Sequence, residues 1–291
     1  MSNSPRKTWF ITGTSSGFGH AFASYALEKG YNVVATARNP SKLKDLVAQA
    51  PDRVLAVALD VDRPRDAEGA MKAAVERFGR IDVVINNAGY GIVGAVEETP
   101  DSELRALMET NFFGAVAVMK AALPVLRAQR SGAIVNISSI GGQLSFAGFG
   151  AYSASKFALE GISEALAQEV APFGIKVLLV EPGNFRTNLL GSGTRQMPAM
   201  DAYHQTVGGT REFAQDMHGA QIGDPLKAAA AIDLALQAQN TPLRLQLGED
   251  AVAAVRAHAK TMLDDLEHWQ PVAVNTRLDG AVVTAKPLAV S

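Results

Sequence analysis

Short apolar runs alternate with longer helical patterns along the chain, and this alternation restricts the fold more than any other feature of the sequence. The runs are rich in Val, Ile, Ala and Leu, and residues typical of turns separate them from the helical segments. Strands that helices cover on both faces read in this way, whereas the strands of an antiparallel sheet alternate apolar and polar residues. We place seven strands at residues 8–12, 32–36, 54–58, 83–85, 133–137, 176–180 and 244–247.

This pattern predicts an α/β fold built on a Rossmann-type, doubly wound parallel sheet of about seven strands. A chain of 291 residues is long enough to bury the core of such a sheet. No stretch rich in Pro, Gly and Ser divides the sequence in two. We therefore predict a single domain over residues 1–291.

Two segments near the C-terminus depart from the alternation. Residues 184–222 are punctuated by Gly and contain Met and aromatic residues, which predicts an irregular lid over a substrate or a small satellite core beneath a long loop. Residues 249–291 extend beyond the last predicted strand. Apolar residues at close to helical spacing predict that this extension packs on the sheet or on the lid; they are Val252, Val255, Ala259, Met262, Leu263, Leu266 and Trp269.

Composition and charge exclude several classes of protein. There is no cysteine, so disulfides, thiolate catalysis and cysteine-based metal sites are ruled out. The five His residues lack metal-ligand spacing, and we predict no metal site. A net charge of −2 without a basic stripe argues against nucleic acid or an anionic membrane as a partner.

Neither a membrane span nor a targeting segment is predicted. The most apolar stretch, residues 112–126, is interrupted by Lys120 and Pro124 and is expected to be too short to cross a bilayer. The first residues run into a strand and a glycine turn, which is not the pattern of a signal peptide. We expect a cytoplasmic protein.

A glycine-rich turn follows the first predicted strand and precedes a helical pattern. Gly13, Gly17 and Gly19 have the spacing G-x3-G-x-G within the segment TGTSSGFG. Glycines permit a tight turn and close approach of the backbone to a ligand, and the N-terminus of the next helix offers free N–H groups to a pyrophosphate. The turn predicts a dinucleotide-binding domain, although a plain turn without a ligand would use the same residues.

The end of the second predicted strand bears on the choice of cofactor. A carboxylate there would accept hydrogen bonds from a free ribose 2′-OH, but the sequence has Ala37 followed by Arg38. The guanidinium of Arg38 matches a 2′-phosphate, so the pair favours NADP(H); the alternative is a solvated Arg at a strand end. After the third strand, Asp60 either contacts the adenine or caps the next helix.

Tyr152 and Lys156 lie four residues apart in a predicted helix, so their side chains share one face. Lys156 is expected to lower the pKa of Tyr152 and make an acid/base pair, although an exposed pair on a helix face would look the same. Asn111, within an apolar segment, is either a structural hydrogen-bonder or part of a site. Ser138 and Ser139 are either turn residues or ligands of a substrate oxygen.

The motifs TGTSSGFG, NNAG, SS, YSASK and EPGNFRT, with Asn111 between the second and the third, stand in the order of the short-chain dehydrogenase/reductase family. The chain resembles that family closely from residue 7 to residue 187, and its tail resembles the extended carbonyl reductase and steroid or retinol dehydrogenase branches. The resemblance implies that Tyr152 is the general acid/base and that Lys156 binds the nicotinamide ribose. It also implies that Asn111 holds a relay water and that Ser139, thirteen residues before the tyrosine, orients the carbonyl.

The same resemblance implies the cofactor-binding residues. From the pyrophosphate turn through the 2′-phosphate, the adenine and its ribose to the nicotinamide end, they are Gly13, Ser15, Gly17, Phe18, Gly19, Arg38, Asp60, Val61, Asn87, Ala88, Gly89, Pro182, Gly183 and Thr187, together with Tyr152 and Lys156. Ser16 departs from the pattern, because many NADP-dependent members carry a basic residue there. A mixed cofactor preference therefore stays open.

These observations predict an NADP(H)-dependent oxidoreductase that reduces a moderately hydrophobic ketone or aldehyde to an alcohol, or catalyses the reverse, by hydride transfer. Tyr152 would be the proton donor or acceptor. The implied partners are a small-molecule substrate and further copies of the chain, in a homodimer or homotetramer formed through the helices that carry Asn111 and Tyr152. Two alternatives stay open: a catalytically silent NADP-binding regulatory protein, and an isomerase or epimerase that uses the bound cofactor transiently.

Overall fold

Seven parallel strands form one sheet at the centre of the structure, a computed structural model that describes residues 5–282. Their order is β3-β2-β1-β4-β6-β7-β9, so the chain starts in the middle of the sheet and winds outward in both directions. This is the predicted doubly wound arrangement, and each predicted strand overlaps one strand of the sheet. In chain order the described strands are β1 Thr8–Ile11, β2 Asn32–Ala37, β3 Val54–Ala58, β4 Val83–Asn86, β5 Gly91–Val93, β6 Gly132–Ile137, β7 Ile175–Pro182, β8 Thr194–Gln196 and β9 Arg244–Leu247.

Helices cover both faces of this sheet. The described helices are α1 Gly17–Glu28, α2 Lys44–Gln49, α3 Pro64–Phe78, α4 Asp101–Met108, α5 Gly114–Gln129, α6 Gly150–Val170, α7 His204–Met217, α8 Pro225–Gln237 and α9 Glu249–Ala273. Trp9 and Ile11 of β1 pack in the cluster beneath α1 and α8, whereas Phe10 packs in the cluster beneath α3, α5 and α6. All three side chains are fully buried, which explains why the strand is apolar at successive positions.

The segment 184–222 is not an irregular loop, contrary to the prediction. It contains β8, which pairs in parallel with β5, and the 14-residue helix α7. Val207 and Ala214 of α7 are buried. Arg211, which lies between them in the helix, donates a hydrogen bond to the carboxylate of Glu98, a residue that precedes α4. The sequence pattern missed β8 because its three residues are polar and its hydrogen-bonding partner is distant in the chain.

From residue 259 onward the apolar residues of the C-terminal extension do not pack on the sheet or on the lid segment, contrary to the prediction, whereas Val255 before them is half-buried. Only the start of α9 is anchored: Ala251 is buried, and Asp250 accepts hydrogen bonds of 2.8 Å from the backbone and side-chain nitrogens of Asn184. From position 259 to position 282 every residue is exposed, including Leu266 at 61% and Trp269 at 59%. The helix continues beyond the body of the domain. Residues 283–291 of the extension lie outside the described part of the chain.

The continuous helix Asp101–Gln129, made of α4, a π-helical turn and α5, is long and apolar enough to cross a membrane by length and composition alone. The helix is therefore longer than the apolar stretch at residues 112–126 on which the expectation rested. Its apolar character has a cause within the fold, because Val118, Ala122 and Leu126 are fully buried beneath the sheet. A helix at the core of a domain passes the same test of length and composition.

Candidate active site

The glycine-rich turn joins the carboxyl end of β1 to α1. Gly13 and Gly17 have φ angles of 70° and 55°, a region that residues with a Cβ rarely adopt. A Cβ at Gly19 would collide with the carbonyl oxygen of Gly13, so glycine there lets α1 begin directly against the turn. Ser15 is exposed at the tip of the turn. The three glycines thus leave open backbone in front of the helix.

The segment after β7 folds over this turn. The ring of Phe18 lies 5.2 Å, between centroids, from each of the rings of Phe22 and Phe185. A Cβ at Gly17 would stand 3.5 Å from the Cβ of Thr187. The structure therefore brings Thr187, predicted at the nicotinamide end, next to the predicted pyrophosphate turn.

A second turn, after β4, is fastened to the first by hydrogen bonds. The buried hydroxyl of Thr12 accepts from the backbone N–H groups of Asn87 at 2.9 Å and Ala88 at 3.0 Å. The side-chain amide of Asn87 donates in return to the carbonyls of Thr12 at 2.8 Å and Gly13 at 3.2 Å. Thr12 was not among the predicted site residues, yet it sets the position of the NNAG segment.

The residues present fit an anionic dinucleotide. The Ser16 side chain does not cap α1, so no side-chain acceptor occupies the N–H groups of its first turn. Arg38 is exposed at the end of β2 and makes no side-chain hydrogen bond or ion pair with any residue from 5 to 282. Ala37, before it, is buried and brings no negative charge. Both places where phosphate is predicted therefore offer donors without competing carboxylates.

Asp60 and Val61 stand at the carboxyl end of β3, on the same edge of the sheet. Asp60 does not cap α3, whose N-cap is Arg63; instead its carboxylate accepts a hydrogen bond of 3.4 Å from the N–H of Asp62. Val61 is buried and packs against Gly114 at the start of α5. The two residues shape this corner of the cleft, and their contact with adenine stays a prediction.

Tyr152 and Ser139 meet where β6 ends and α6 begins. A Cβ at Gly141 would lie 3.3 Å from Cε1 of Tyr152 and 3.4 Å from Oγ of Ser139, so this glycine makes room for both side chains. Oγ of Ser139 accepts a hydrogen bond of 3.0 Å from the N–H of Gly141. Burial raises the pKa of Tyr152, and hydrogen bonding with Ser139 lowers it. The serine therefore stands beside the phenol, as the resemblance implies.

Lys156 is buried one helical turn after Tyr152. Its Nζ donates to the carbonyl of Ile137 at 2.8 Å and lies 5.6 Å from the centroid of the Tyr152 ring. Burial lowers the pKa of Lys156 to about 8, against a smaller opposite effect of the Glu160 carboxylate. In the protein without a cofactor, Lys156 is not the group that lowers the pKa of Tyr152, contrary to the prediction. Burial raises this pKa, and the smaller opposite effect comes from the hydrogen bond with Ser139.

Asn111 is held by three hydrogen bonds in the π-helical turn between α4 and α5. Its side chain accepts from the N–H of Tyr90 at 3.0 Å and donates to the carbonyl of Tyr90 at 2.9 Å and to Oγ of Ser155 at 3.0 Å. Oγ of Ser155 in turn donates to the carbonyl of Tyr152 at 2.7 Å. The Cβ position of Gly89 lies 3.0 Å from Oδ1 of Asn111 and 3.9 Å from Nζ of Lys156. Asn111, Tyr152 and Lys156 therefore surround one space.

Comparison with known proteins agrees with this geometry. The sequence profile described as short chain dehydrogenase matches residues 7–198, which include the turn, Asn111, Ser139, Tyr152 and Lys156. The chain belongs to the short-chain dehydrogenase family. Among curated oxidoreductases, BOA17 of Botryotinia fuckeliana is 42% identical over 92% of this chain and 98% of its own. The 3-ketodihydrosphingosine reductase of Bacteroides thetaiotaomicron is 39% identical over 88% and 92%.

Solved structures give the same result. A short-chain dehydrogenase from Streptomyces avermitilis is 51% identical, with a TM-score of 0.89 over 95% of this chain and all of its own. The protein ElxO, solved with NADP bound, is 27% identical, with a TM-score of 0.71 over 85% of this chain and 99% of its own. The Rossmann-type fold of this short-chain dehydrogenase is therefore shared with structures that hold a nicotinamide cofactor.

Two polar clusters beside the site of this short-chain dehydrogenase were not predicted. In the first, Glu160, a helical turn after Lys156, shares Arg244 with the fully buried Glu181, at 2.9 and 3.6 Å. Gln143, which follows the Ser139 loop, donates to both carboxylates, at 3.3 and 3.0 Å. Burial raises the pKa of Glu160 to about 7. Sequence spacing places Glu160 on the Lys156 helix, but it does not reveal the partners from β7 and β9.

The second cluster fastens the lid segment to the segment before α4. The buried carboxylate of Glu98 accepts from the N–H groups of Ala95 and Met200 and from Nη2 of Arg211, each at 2.7 Å. Arg211 also donates to the carbonyl of Met197 at 2.8 Å. Met197 packs with Ile92 and Leu107 against the Tyr152 ring. In this short-chain dehydrogenase the lid segment therefore forms one wall of the space beside Tyr152.

Proposed function

We propose that this short-chain dehydrogenase uses NADP(H) to interconvert a moderately hydrophobic ketone or aldehyde with the corresponding alcohol. The observation that carries the proposal is the meeting of Ser139, Tyr152, Lys156 and Asn111 around one space at the carboxyl edge of the sheet. A hydroxyl donor, a buried phenol and an ammonium are the groups that a carbonyl needs when it gains a hydride and a proton.

The preference for NADP(H) rests on Arg38. Its guanidinium has no hydrogen-bonding or ionic partner among residues 5–282 and stands at the strand end where the ribose 2′ position is expected, and Ala37 offers no carboxylate to a 2′-OH. The NADP-bound ElxO supports this choice by analogy. The N–H groups at the start of α1 would hold the pyrophosphate. When bound, the cofactor supplies the hydride, and the chain supplies position and proton transfer.

Each of the site residues has a role that its surroundings allow. Ser139 would donate to the substrate oxygen, and Tyr152 would deliver the proton to it or remove the proton from it. Nζ of Lys156 uses one of its three N–H groups on Ile137, so two remain for the hydroxyls of the nicotinamide ribose. Asn111 is fixed by Tyr90 and Ser155, which suits a residue that positions a water for the proton relay.

The wall beside Tyr152 supports an apolar substrate. Ile92, Leu107 and Met197 are buried there with Tyr90 and Ala151 at their edge. The residues are large, and Met adapts to different shapes, as expected for a ketone that carries alkyl or ring substituents. The 3-ketodihydrosphingosine reductase of Bacteroides thetaiotaomicron supports a ketone substrate by analogy. We also propose the cytoplasm as the location of the enzyme and a homo-oligomer as its working form.

The test is NADPH oxidation by purified protein with aryl ketones, aldehydes and steroid ketones, with NADH in parallel. We expect turnover with NADPH. Tyr152→Phe should abolish turnover but still bind NADPH, which is measured as quenching of the protein's intrinsic fluorescence. Tyr90→Phe, a phenol next to the site but without an assigned proton transfer, is the matched control and should keep turnover. Full turnover by Tyr152→Phe would overturn the proton-donor role, and tight NADPH binding without turnover of any substrate would favour a regulatory protein.

A further inference from the structure

The distal part of α9 is a helix without tertiary contacts. The helix has 25 residues, about 37 Å at 1.5 Å per residue, and every residue from 259 to its end at Ala273 is exposed. An isolated helix as short as the exposed part, residues 259–273, is marginal in water, because the stability of helices in proteins comes mostly from a packed apolar face. This segment has such a face, and nothing among residues 5–282 covers it.

The apolar face has the spacing of a coiled-coil seam. The side chains recur at alternating intervals of three and four residues, which is the a/d pattern of three heptads. Their exposure is high where the helix leaves the domain: Met262 59%, Leu266 61% and Trp269 59%. Nearer the domain, Val252 is 42% exposed. In order, the seam residues are Val252, Val255, Ala259, Met262, Leu266, Trp269 and Ala273.

We propose that α9 pairs antiparallel with α9 of a second copy of this chain. The sizes of the seam residues from 252 to 269 favour this direction, because they increase from Val and Ala near the domain to Met, Leu and Trp farther out; Ala273 lies beyond the paired layers. In an antiparallel pair each layer joins a small and a large residue: Val252 with Trp269, Val255 with Leu266, and Ala259 with Met262. In a parallel pair each residue would face the same residue of the partner. Two Ala259 side chains would leave a gap at one end, and two Trp269 side chains would clash at the other.

The charges of the helix favour the same direction and the same partner. Within residues 252–269, the segment that forms the layers, Arg256 and Lys260 lie in the half near the domain and the far half holds Asp264, Asp265 and Glu267; Glu249 and Asp250 precede this segment. Antiparallel pairing sets the basic half of each copy beside the acidic half of the other, whereas parallel pairing sets carboxylates beside carboxylates. An anionic lipid surface is disfavoured by the same carboxylates. The partner that matches both size and charge is a second α9.

The first test is the mass of the protein in solution by sedimentation velocity at about 10 µM, because assembly depends on concentration. Leu266→Glu places a charge in the seam and should halve the mass of the assembly. Ala257→Glu adds the same charge on the opposite side of the exposed helix and should leave the mass unchanged. A monomeric parent protein, or a Leu266→Glu variant with the mass of the parent, would overturn the proposal. Binding of a monomeric parent to neutral lipid vesicles would point to a membrane instead.

The second test uses the absence of cysteine from the chain. A protein with Val255→Cys is mixed with a separately tagged protein with Leu266→Cys and oxidised, and the disulfide-linked species are separated by mass. Antiparallel pairing predicts the mixed product, in which position 255 of one copy is linked to position 266 of the other. Products of each variant with itself, without the mixed product, would overturn the antiparallel direction. Neither substitution touches the catalytic or cofactor residues, so failure of this proposal leaves NADPH turnover intact.

Discussion

Replacing Arg211 by Met should release the lid segment without unfolding the domain. The Arg211 side chain is 16% exposed and that of Glu98 1%, so the ion pair between them is largely shielded from water. The variant loses one charged hydrogen bond to Glu98, worth about 1.5–3 kcal/mol, and one hydrogen bond to the carbonyl of Met197, worth about 1 kcal/mol; its exposed hydrogen bond to the side chain of Gln196 adds little. Glu98 keeps its two backbone N–H donors, so the buried carboxylate is not left without partners. The total is about 3 kcal/mol.

Amide hydrogen exchange read by mass spectrometry is the suitable assay, because it resolves local opening from global unfolding. A loss of about 3 kcal/mol corresponds to exchange about 150-fold faster in α7 and β8, with β4 and β6 unchanged. Arg195→Met is the matched control on the same segment: its ion pair with Glu103 has side chains 53% and 33% exposed and should be worth at most about 1 kcal/mol. If the two variants exchange within tenfold of each other, the Glu98–Arg211 pair does not hold the lid.

The same pair makes the lid sensitive to acid. Hydrogen bonds from the N–H of Met200, with others from Ala95 and Arg211, hold the pKa of Glu98 below its ordinary value in spite of burial. A carboxylate whose pKa is lower in the folded state contributes stability above its ordinary pKa, and that stability is lost as the pH falls through the lowered value. Protection of α7 should therefore fall in acid in the parent protein and fall less in Arg211→Met.

Further predictions concern the buried carboxylates and the cofactor cleft. Burial raises the pKa of Glu160 to about 7. Protonated Glu160 therefore makes its full contribution to folding stability below the ordinary pKa of a carboxyl group, and that contribution is lost as the pH rises through about 7. Glu160→Gln should therefore melt above the parent protein at about pH 8 and close to it at about pH 5, and the same difference in melting temperature at both pH values would contradict this reasoning. Arg38→Ala should weaken binding of NADPH at least tenfold more than binding of NADH, and equal losses in a fluorescence titration would exclude Arg38 as the 2′-phosphate ligand. Thr12→Val keeps the shape but leaves the N–H groups of Asn87 and Ala88 without their acceptor, and should cost about 2 kcal/mol in urea unfolding; no change would mean that water replaces the hydroxyl.

The strands of the main sheet could be predicted because a strand that is buried on both faces is apolar at every position, and this pattern is visible in the local sequence. Trp9, Phe10 and Ile11 are all fully buried, and a strand of this kind is apolar at each position whatever its neighbours are. The small strand β8 has no such pattern: Thr194, Arg195 and Gln196 are polar, and only the pairing with β5 makes them a strand. Register with a distant partner is not encoded in the local sequence.

The apolar pattern of α9 predicts a helix, and this is correct. The expectation that its apolar face packs on the sheet or on the lid segment is wrong for the distal part of the helix. A period of three and four residues reports which side chains share a face, and it carries no information on what covers that face. Leu266 and Trp269 would have the same spacing beneath a sheet, beneath a lid or in the seam of a two-helix pair. Only the place where β9 ends and the direction in which α9 leaves the domain reveal that the face is open.

The electrostatics of the site were also beyond the sequence. The spacing of Tyr152 and Lys156 predicts that they share a helix face, and they do, yet Nζ turns to the carbonyl of Ile137. That carbonyl belongs to β6, a strand that comes earlier in the chain and whose distance from α6 is set by the sheet. Nζ of Lys156 consequently lies 3.9 Å from the Cβ position of Gly89, where a ribose is expected, and 5.6 Å from the centroid of the Tyr152 ring.

Gly183 is a glycine for which two reasons exist, room for a cofactor and contact with α9, and the sequence motif does not distinguish them. The family resemblance places it at the nicotinamide end, where a glycine would give the cofactor room. In the structure a Cβ at this position would collide with the carboxylate of Asp250, which is bonded to the backbone and side chain of Asn184. Glycine is thus required by contact with the first turn of α9, whether or not a cofactor is bound. The helix that we propose to pair two copies therefore begins in direct contact with the loop where the nicotinamide end is predicted.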